Sequence, residues 1–297
     1  MNIAKNIYRI KLCVMKKFLL FGIVTLLILT SCEKIDNEVF FKIGSGLEYK
    51  FSDIELYDTS AHILYFKKVH DEFEKIENGS FTFLDKGDPI YTGSFWPGYS
   101  SSSPSGPFIM SRPSGLGNYA LRIDNWHSDN PDIRTDPKMI SILKQHDLLH
   151  SGLAITSSSI EITGTQITFK FTVTNQDQSD LMIIDFNKTG PNLFHYFTNG
   201  LYVYDLAHKE VFSSTIQHQA PDPWNSWKID WLSELKSGES KEYTISYTIN
   251  NALNPGEYDT SFEFPGFAYQ ISKDQLYQGN SRIWLGDISY KKRITVN

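Results

Sequence analysis

Two runs of strict alternation stand out in the C-terminal half of the chain. In Ile167-Thr168-Phe169-Lys170-Phe171-Thr172-Val173-Thr174 every second residue is apolar, and Tyr243, Ile245, Tyr247 and Ile249 alternate with Thr244, Ser246 and Thr248. A period of two places one face of a strand on a core and the other in water. Turn signals separate such runs: Lys188-Thr189-Gly190-Pro191-Asn192, Asn199-Gly200, Lys236-Ser237-Gly238-Glu239 and Asn254-Pro255-Gly256. Short strands punctuated in this way predict an antiparallel sandwich.

A helical period occurs with clear end signals at one place. Asp136 can cap a helix with Pro137 at its first position. Met139, Ile140, Ile142, Leu143 and Leu149 form its apolar stripe, and Ser151-Gly152 is expected to close it. A weaker helix is expected over Val69–Glu77, after a His62–Phe66 segment that reads equally well as strand. Strands are expected at Ser80–Leu84 and Tyr119–Ile123. The fold class is therefore mainly β, with a domain boundary near Gly152. An N-terminal β-rich domain with one helix covers 47–152, and an immunoglobulin-like antiparallel β-sandwich covers 153–297. The first domain contains a long Ser/Pro/Gly-rich loop, Trp96 to Pro107. Loops of that length inside a domain are often functional.

The beginning of the chain follows a different pattern. Lys16-Lys17 precedes the apolar run Phe18–Leu29, which is short for a bilayer span and suits a secretory signal. The run ends in Leu29-Thr30-Ser31-Cys32, which resembles a bacterial lipobox. That resemblance implies removal of residues 1–31 and lipidation (palmitate-type acylation) of Cys32. It also implies an outer-membrane, lipid-anchored protein facing the periplasm or the cell surface. Each buried CH₂ contributes roughly 0.8 kcal/mol, so two or more acyl chains hold stably where one does not. Residues 32–46 read as a tether. Its polar start, Glu33-Lys34-Ile35-Asp36-Asn37-Glu38, is either a surface-sorting signal or a solvated linker.

Composition narrows the partners. The 297-residue chain carries a formal charge of −6. Lys5, Arg9, Lys11, Lys16 and Lys17 precede Cys32 with no acid among them, so the remainder has 23 basic and 34 acidic residues, a balance of −11. Such a surface repels nucleic acid. With Cys13 and Cys32 the only cysteines, no disulfide or cysteine metal site is expected in the folded part. No cofactor is implied. Aromatic residues, 14% of the chain, are left to supply the buried area.

Four C-terminal segments, in order, are Phe171-Thr172-Val173-Thr174-Asn175, Asn199 to Asp205, Leu235 to Ser240 and Leu253 to Tyr258. Together they resemble the BsuPI-type proteinase-inhibitor domain, an immunoglobulin-like sandwich. The resemblance implies that fold and, by analogy, inhibition of a subtilisin-like protease.

Three groups of residues could carry chemistry or binding. In His146-Asp147-Leu148-Leu149-His150 the two histidines, on a continuing helix, would share one face and could reach one metal ion, as in a metal-assisted hydrolase. The competing reading is packing and capping at the helix end. Asp124 to Asp132 is rich in oxygen ligands that suit calcium, although such loops commonly only make turns. Trp224, Trp227 and Trp231, together with Trp96 and Tyr99, could stack on sugar faces or anchor a protein, or simply pack. No G-x-S-x-G elbow, P-loop or dinucleotide fingerprint occurs. The expectation is a membrane-anchored, non-catalytic binding or scaffold module with a glycan or protein partner. A hydrolase using His146 and His150 is the alternative, followed by a protease inhibitor.

Overall fold

The computed structural model describes residues 38–111, 116–126, 131–198, 200–214, 227–266 and 271–297. Cys32, Trp224, His127, Asp129 and Asn130 lie outside them.

The N-terminal half forms two sheets. The first has five strands: β1 (Val39–Ile43), β2 (Leu47–Lys50), β5 (Gly79–Asp85), β6 (Asp88–Pro97) and β7 (Phe108–Ser111), in the order β2-β1-β5-β6-β7. β1 begins inside the stretch read as a tether, because Phe40 and Phe41 are apolar enough to be fully buried. The second sheet has four short strands: β3 (Ile54–Asp58), β4 (Ile63–Phe66), β8 (Ala120–Arg122) and β9 (Leu149–His150), in the order β8-β4-β3-β9. Helix α1 (Pro137–Gln145) starts as its sequence predicts, with Asp136 accepting from the backbone N–H of Lys138 at 2.7 Å. The weaker helix over 69–77 is reduced to a single 3₁₀ turn, Asp71–Lys75.

The C-terminal half forms three sheets. β10 (Leu153–Thr163), β11 (Gln166–Asn175) and β16 (Ser240–Thr248) make one. β13 (Tyr202–Asp205), β14 (Glu210–Ser213), β17 (Gly256–Phe264) and β20 (Ile288–Val296) make another, in the order β14-β13-β17-β20. These two face each other as a sandwich. Phe169 and Phe171 of β11 meet Phe262 of β17 at ring-centroid distances of 5.0 and 5.2 Å. The third sheet holds β12 (Leu181–Ile184), β15 (Leu232–Leu235), β18 (Tyr277–Gln278) and β19 (Ser281–Ile283). β12 pairs parallel with β19, so the expected antiparallel pattern is broken there.

Helix α2 (Phe186–Thr198) was not visible in the sequence pattern. The Gly190-Pro191 turn signal is real, since Gly190 has φ 71° and kinks the element. Helical turns lie on both sides of the kink, with Phe194 fully buried. Among the described residues no helix is long and apolar enough to cross a membrane.

Two cores result, and β3, β4 and β8 lie between them. Ile63, Tyr65, Leu56 and Ala120 belong to the large core that also holds the sandwich. Leu64, Phe66, Tyr57 and Leu121 belong to a smaller, aromatic-rich core shared with β1 and β5. Alternate side chains of one strand thus serve different cores, and all four residues of β4 are buried. The boundary expected at Gly152 falls between β9 and β10, and the large core takes residues from both sides of it.

Candidate functional site

The two histidines do not share a helix face. α1 ends at Gln145, and Asp147, with φ 54°, turns the chain into β9. Leu149 leaves the expected stripe with it and pairs with Tyr57. His146 caps the helix and lies flat against Phe51, with centroids 3.7 Å apart and an interplanar angle of 3°. His150 is buried, with Nδ1 2.7 Å from Asp177 Oδ1. A metal held jointly by His146 and His150 is therefore not a reading the structure retains. Among the described residues no group of three His, Cys, Asp or Glu side chains is placed to hold a metal ion. In the Asp/Asn-rich loop, Asp124 meets Arg122 Nε at 3.2 Å and Asp132 meets Arg134 Nη2 at 2.6 Å, so guanidinium groups occupy those carboxylates.

The aromatic candidates separate as well. Trp227 and Trp231 are half-buried and pack against the large core. Trp231 sits in the 3₁₀ turn Ile229–Trp231. Trp96 is half-buried in β6 opposite Met110, and Tyr99, just beyond it, is 78% exposed. Trp96 thus belongs to the first sheet, Tyr99 to the turn that follows it, and the other two pack on the large core.

His150 instead joins a sealed ionic cluster. Arg282 Nη2 lies 3.1 Å from Asp58 Oδ2 and 3.2 Å from Asp177 Oδ2, and all three side chains are almost inaccessible. Burial alone would push the Asp177 carboxyl up. The hydrogen bond and charge of His150, with the Arg282 guanidinium, outweigh it and hold the group below the usual carboxylate range. Ser60 extends the network, donating to Asp58 Oδ1 at 2.6 Å and accepting from Trp284 Nε1 at 3.2 Å. Closed to solvent, this cluster serves packing rather than binding.

An open surface with binding character lies on the outward face of the β14-β13-β17-β20 sheet. Register builds it in two rows, because residues opposite one another across a ladder point to the same side. Tyr202, Ser261 and Lys291 form one row, and Tyr204, Asp259 and Arg293 the next. The two tyrosine rings are nearly parallel, 6° apart, with centroids separated by 6.0 Å. Arg293 grips Asp259 with Nε at 2.8 Å and Nη2 at 3.1 Å, and this pairing holds the Asp259 carboxyl below its ordinary range. Burial, with Glu210 and Tyr202 nearby, raises the Tyr204 phenol, which keeps its proton for donation. The β13–β14 turn brings His208 alongside. Asp205 Oδ1 accepts from Ala207 and Lys209 N–H, both at 2.9 Å, and His208 adopts φ 62°. Tyr204, His208, Asp259, Ser261, Lys291 and Arg293 line an open groove of about 740 Å³, with Tyr202 at its side, within the roughly 300–1,000 Å³ usual for small-ligand sites. Sequence reasoning passed over it. The available signal was three consecutive basic residues, Lys291-Lys292-Arg293, in an acidic chain.

No known protein family matches the sequence. No curated protein matches it either. Among solved structures, a calcium binding mutant of Bacteroides uniformis beta-glucuronidase 2 is similar over 88% of this chain and 32% of that one, at 10% identity and a TM-score of 0.22. This chain spans about a third of that protein's length, and a TM-score so low does not place the two in one fold.

Proposed function

We propose that this protein is a membrane-tethered, non-catalytic binding module whose partner is a glycan, held on the outward face of β13, β17 and β20. The observation that carries the reading is the pair of near-parallel tyrosines, Tyr202 and Tyr204, beside an open groove whose polar groups are fixed by strand register. Sugars present apolar C–H faces rimmed by hydroxyls. A tyrosine offers a flat apolar ring with a polar tip, and fixed carboxylate and hydroxyl groups orient such a ligand. Lipidation at Cys32, inferred from the lipobox, would hold this surface at a membrane.

A glycan array probed with the chain from Glu33 onward, which keeps every described element, tests the reading. Retention of one glycan class, reduced at least tenfold by Tyr204→Ala with an unchanged circular dichroism spectrum, is the expected result. Failure of every glycan to bind, or binding indifferent to both Tyr202→Ala and Tyr204→Ala, would remove it.

A further inference from the structure

We infer that the glycan taken by this groove is acidic, a carboxylate-bearing polysaccharide, and that Lys291 selects it. The inference rests on the glycan reading above and specifies its ligand class. The chain as a whole is acidic, at −6, yet Lys291, Lys292 and Arg293 all line the groove beside Asp259, with Glu257 and Glu263 further along the same face of β17. Their roles differ. Arg293 is committed to Asp259 by two hydrogen bonds, so its charge is matched within the site. Lys292 reaches back to the Ser158 carbonyl, 3.1 Å from its Nζ. Lys291 is exposed and makes no hydrogen bond or ion pair among the described residues. Its charge acts on Glu263 in the next outward row, lowering a carboxyl that burial raises, without an ion pair among the described residues.

Its placement suits a sugar acid. Lys291 stands in the same row as Tyr202, two strands away across Ser261. Two strand spacings are about 9–10 Å, which leaves room for one sugar ring between aromatic and ammonium. A ring lying against the tyrosines would then point a carboxylate toward Lys291. Ser261 and the Asp259–Arg293 pair would meet its hydroxyls, as donor and acceptor together. A neutral sugar gains only the second set of contacts.

Affinity electrophoresis of the chain from Glu33 onward tests this with polygalacturonate, alginate and hyaluronate, each beside its methyl-esterified form. At least one acidic polymer is expected to retard the protein, with its ester markedly weaker and the difference shrinking as salt rises. Lys291→Gln should weaken the acidic form about fivefold, the worth of one partly exposed ion pair, and the ester by much less. Equal retardation by acid and ester would overturn the charge inference while the glycan reading stood. A preference for the acid that Lys291→Gln does not alter would overturn the assignment of Lys291. If no acidic polymer binds, the inference fails, and the neutral members of the glycan array decide separately whether the broader reading survives.

Discussion

Arg282 on β19 and Asp58 on β3 lie 224 residues apart in sequence and 3.1 Å apart in space, both sealed from water. The Tyr65 ring lies beneath the guanidinium, 5.0 Å from its centre, and Asp177 shares the same nitrogen. Removing the arginine strands two buried carboxylates. Arg282→Ala should therefore cost about 3–5 kcal/mol, the usual penalty for breaking a buried ion pair from one side. Urea denaturation measures it, and a loss below about 1 kcal/mol would show the cluster to be dispensable.

Acid should weaken the fold through its buried histidines. Burial lowers the His195 imidazole from 6.5 to about 4. His62 is also lowered to about 4, by burial and then by the Arg134 guanidinium, against the opposing pull of Asp132. Between those values the unfolded chain binds protons that the native state refuses, so stability rises with pH across the window. It is complete above about 6.5 and falls away toward 4. For His195, only 4% exposed, the shift corresponds to about 3 kcal/mol. Urea midpoints taken through this range should fall steadily, and His195→Phe, which preserves the stack on Tyr247, should flatten the curve. A wild-type profile without slope in that window would contradict the assignment.

The two halves should not fold separately. β4 and its neighbours put Leu56, Ile63 and Tyr65 into the large core, so a chain beginning at Leu153 would open that core and leave Arg282 without Asp58. Calorimetry of the whole protein is expected to show one transition, and the fragment from Leu153 none. Gly152 offers a subtler probe. It has φ 62°, and a Cβ there would run into Ser60 Oγ and Asp58 Oδ1. Gly152→Ala should cost more than about 2 kcal/mol, combining a left-handed backbone with that clash. Two resolved melting transitions would separate the cores after all.

Cys32→Ser should move the protein from the membrane fraction to the soluble one, and globomycin should cause the uncleaved form to accumulate. Unchanged fractionation in both would remove the lipid anchor and leave the groove arguments untouched.

Legibility in the sequence followed exposure. β11 and β16 were readable because one side of each meets solvent and the alternation is strict. α1 was readable because Asp136 and Pro137 announce its start. β4 was ambiguous because burial on both sides erases alternation. The His146–His150 spacing misled because the chain turns at Asp147 through a left-handed backbone, which aspartate tolerates but which its presence alone signals only weakly. The groove depended on the register of strands centred near residues 203, 260 and 292, and such long-range pairing leaves no local trace.

An ordinary half-exposed strand that slips by one residue throws its oily side chains into solvent and is corrected at once. β4 has no such safeguard, since either parity of Ile63–Phe66 lands in a hydrophobic interior. What polices its alignment must be shape and charge: the bulk of Tyr65 seated beneath Arg282, and the anion of Asp58 opposite Ile63 at the end of the hairpin. A mispaired hairpin here would be a trapped conformer with its grease concealed, invisible to quality-control factors that look for exposed apolar surface.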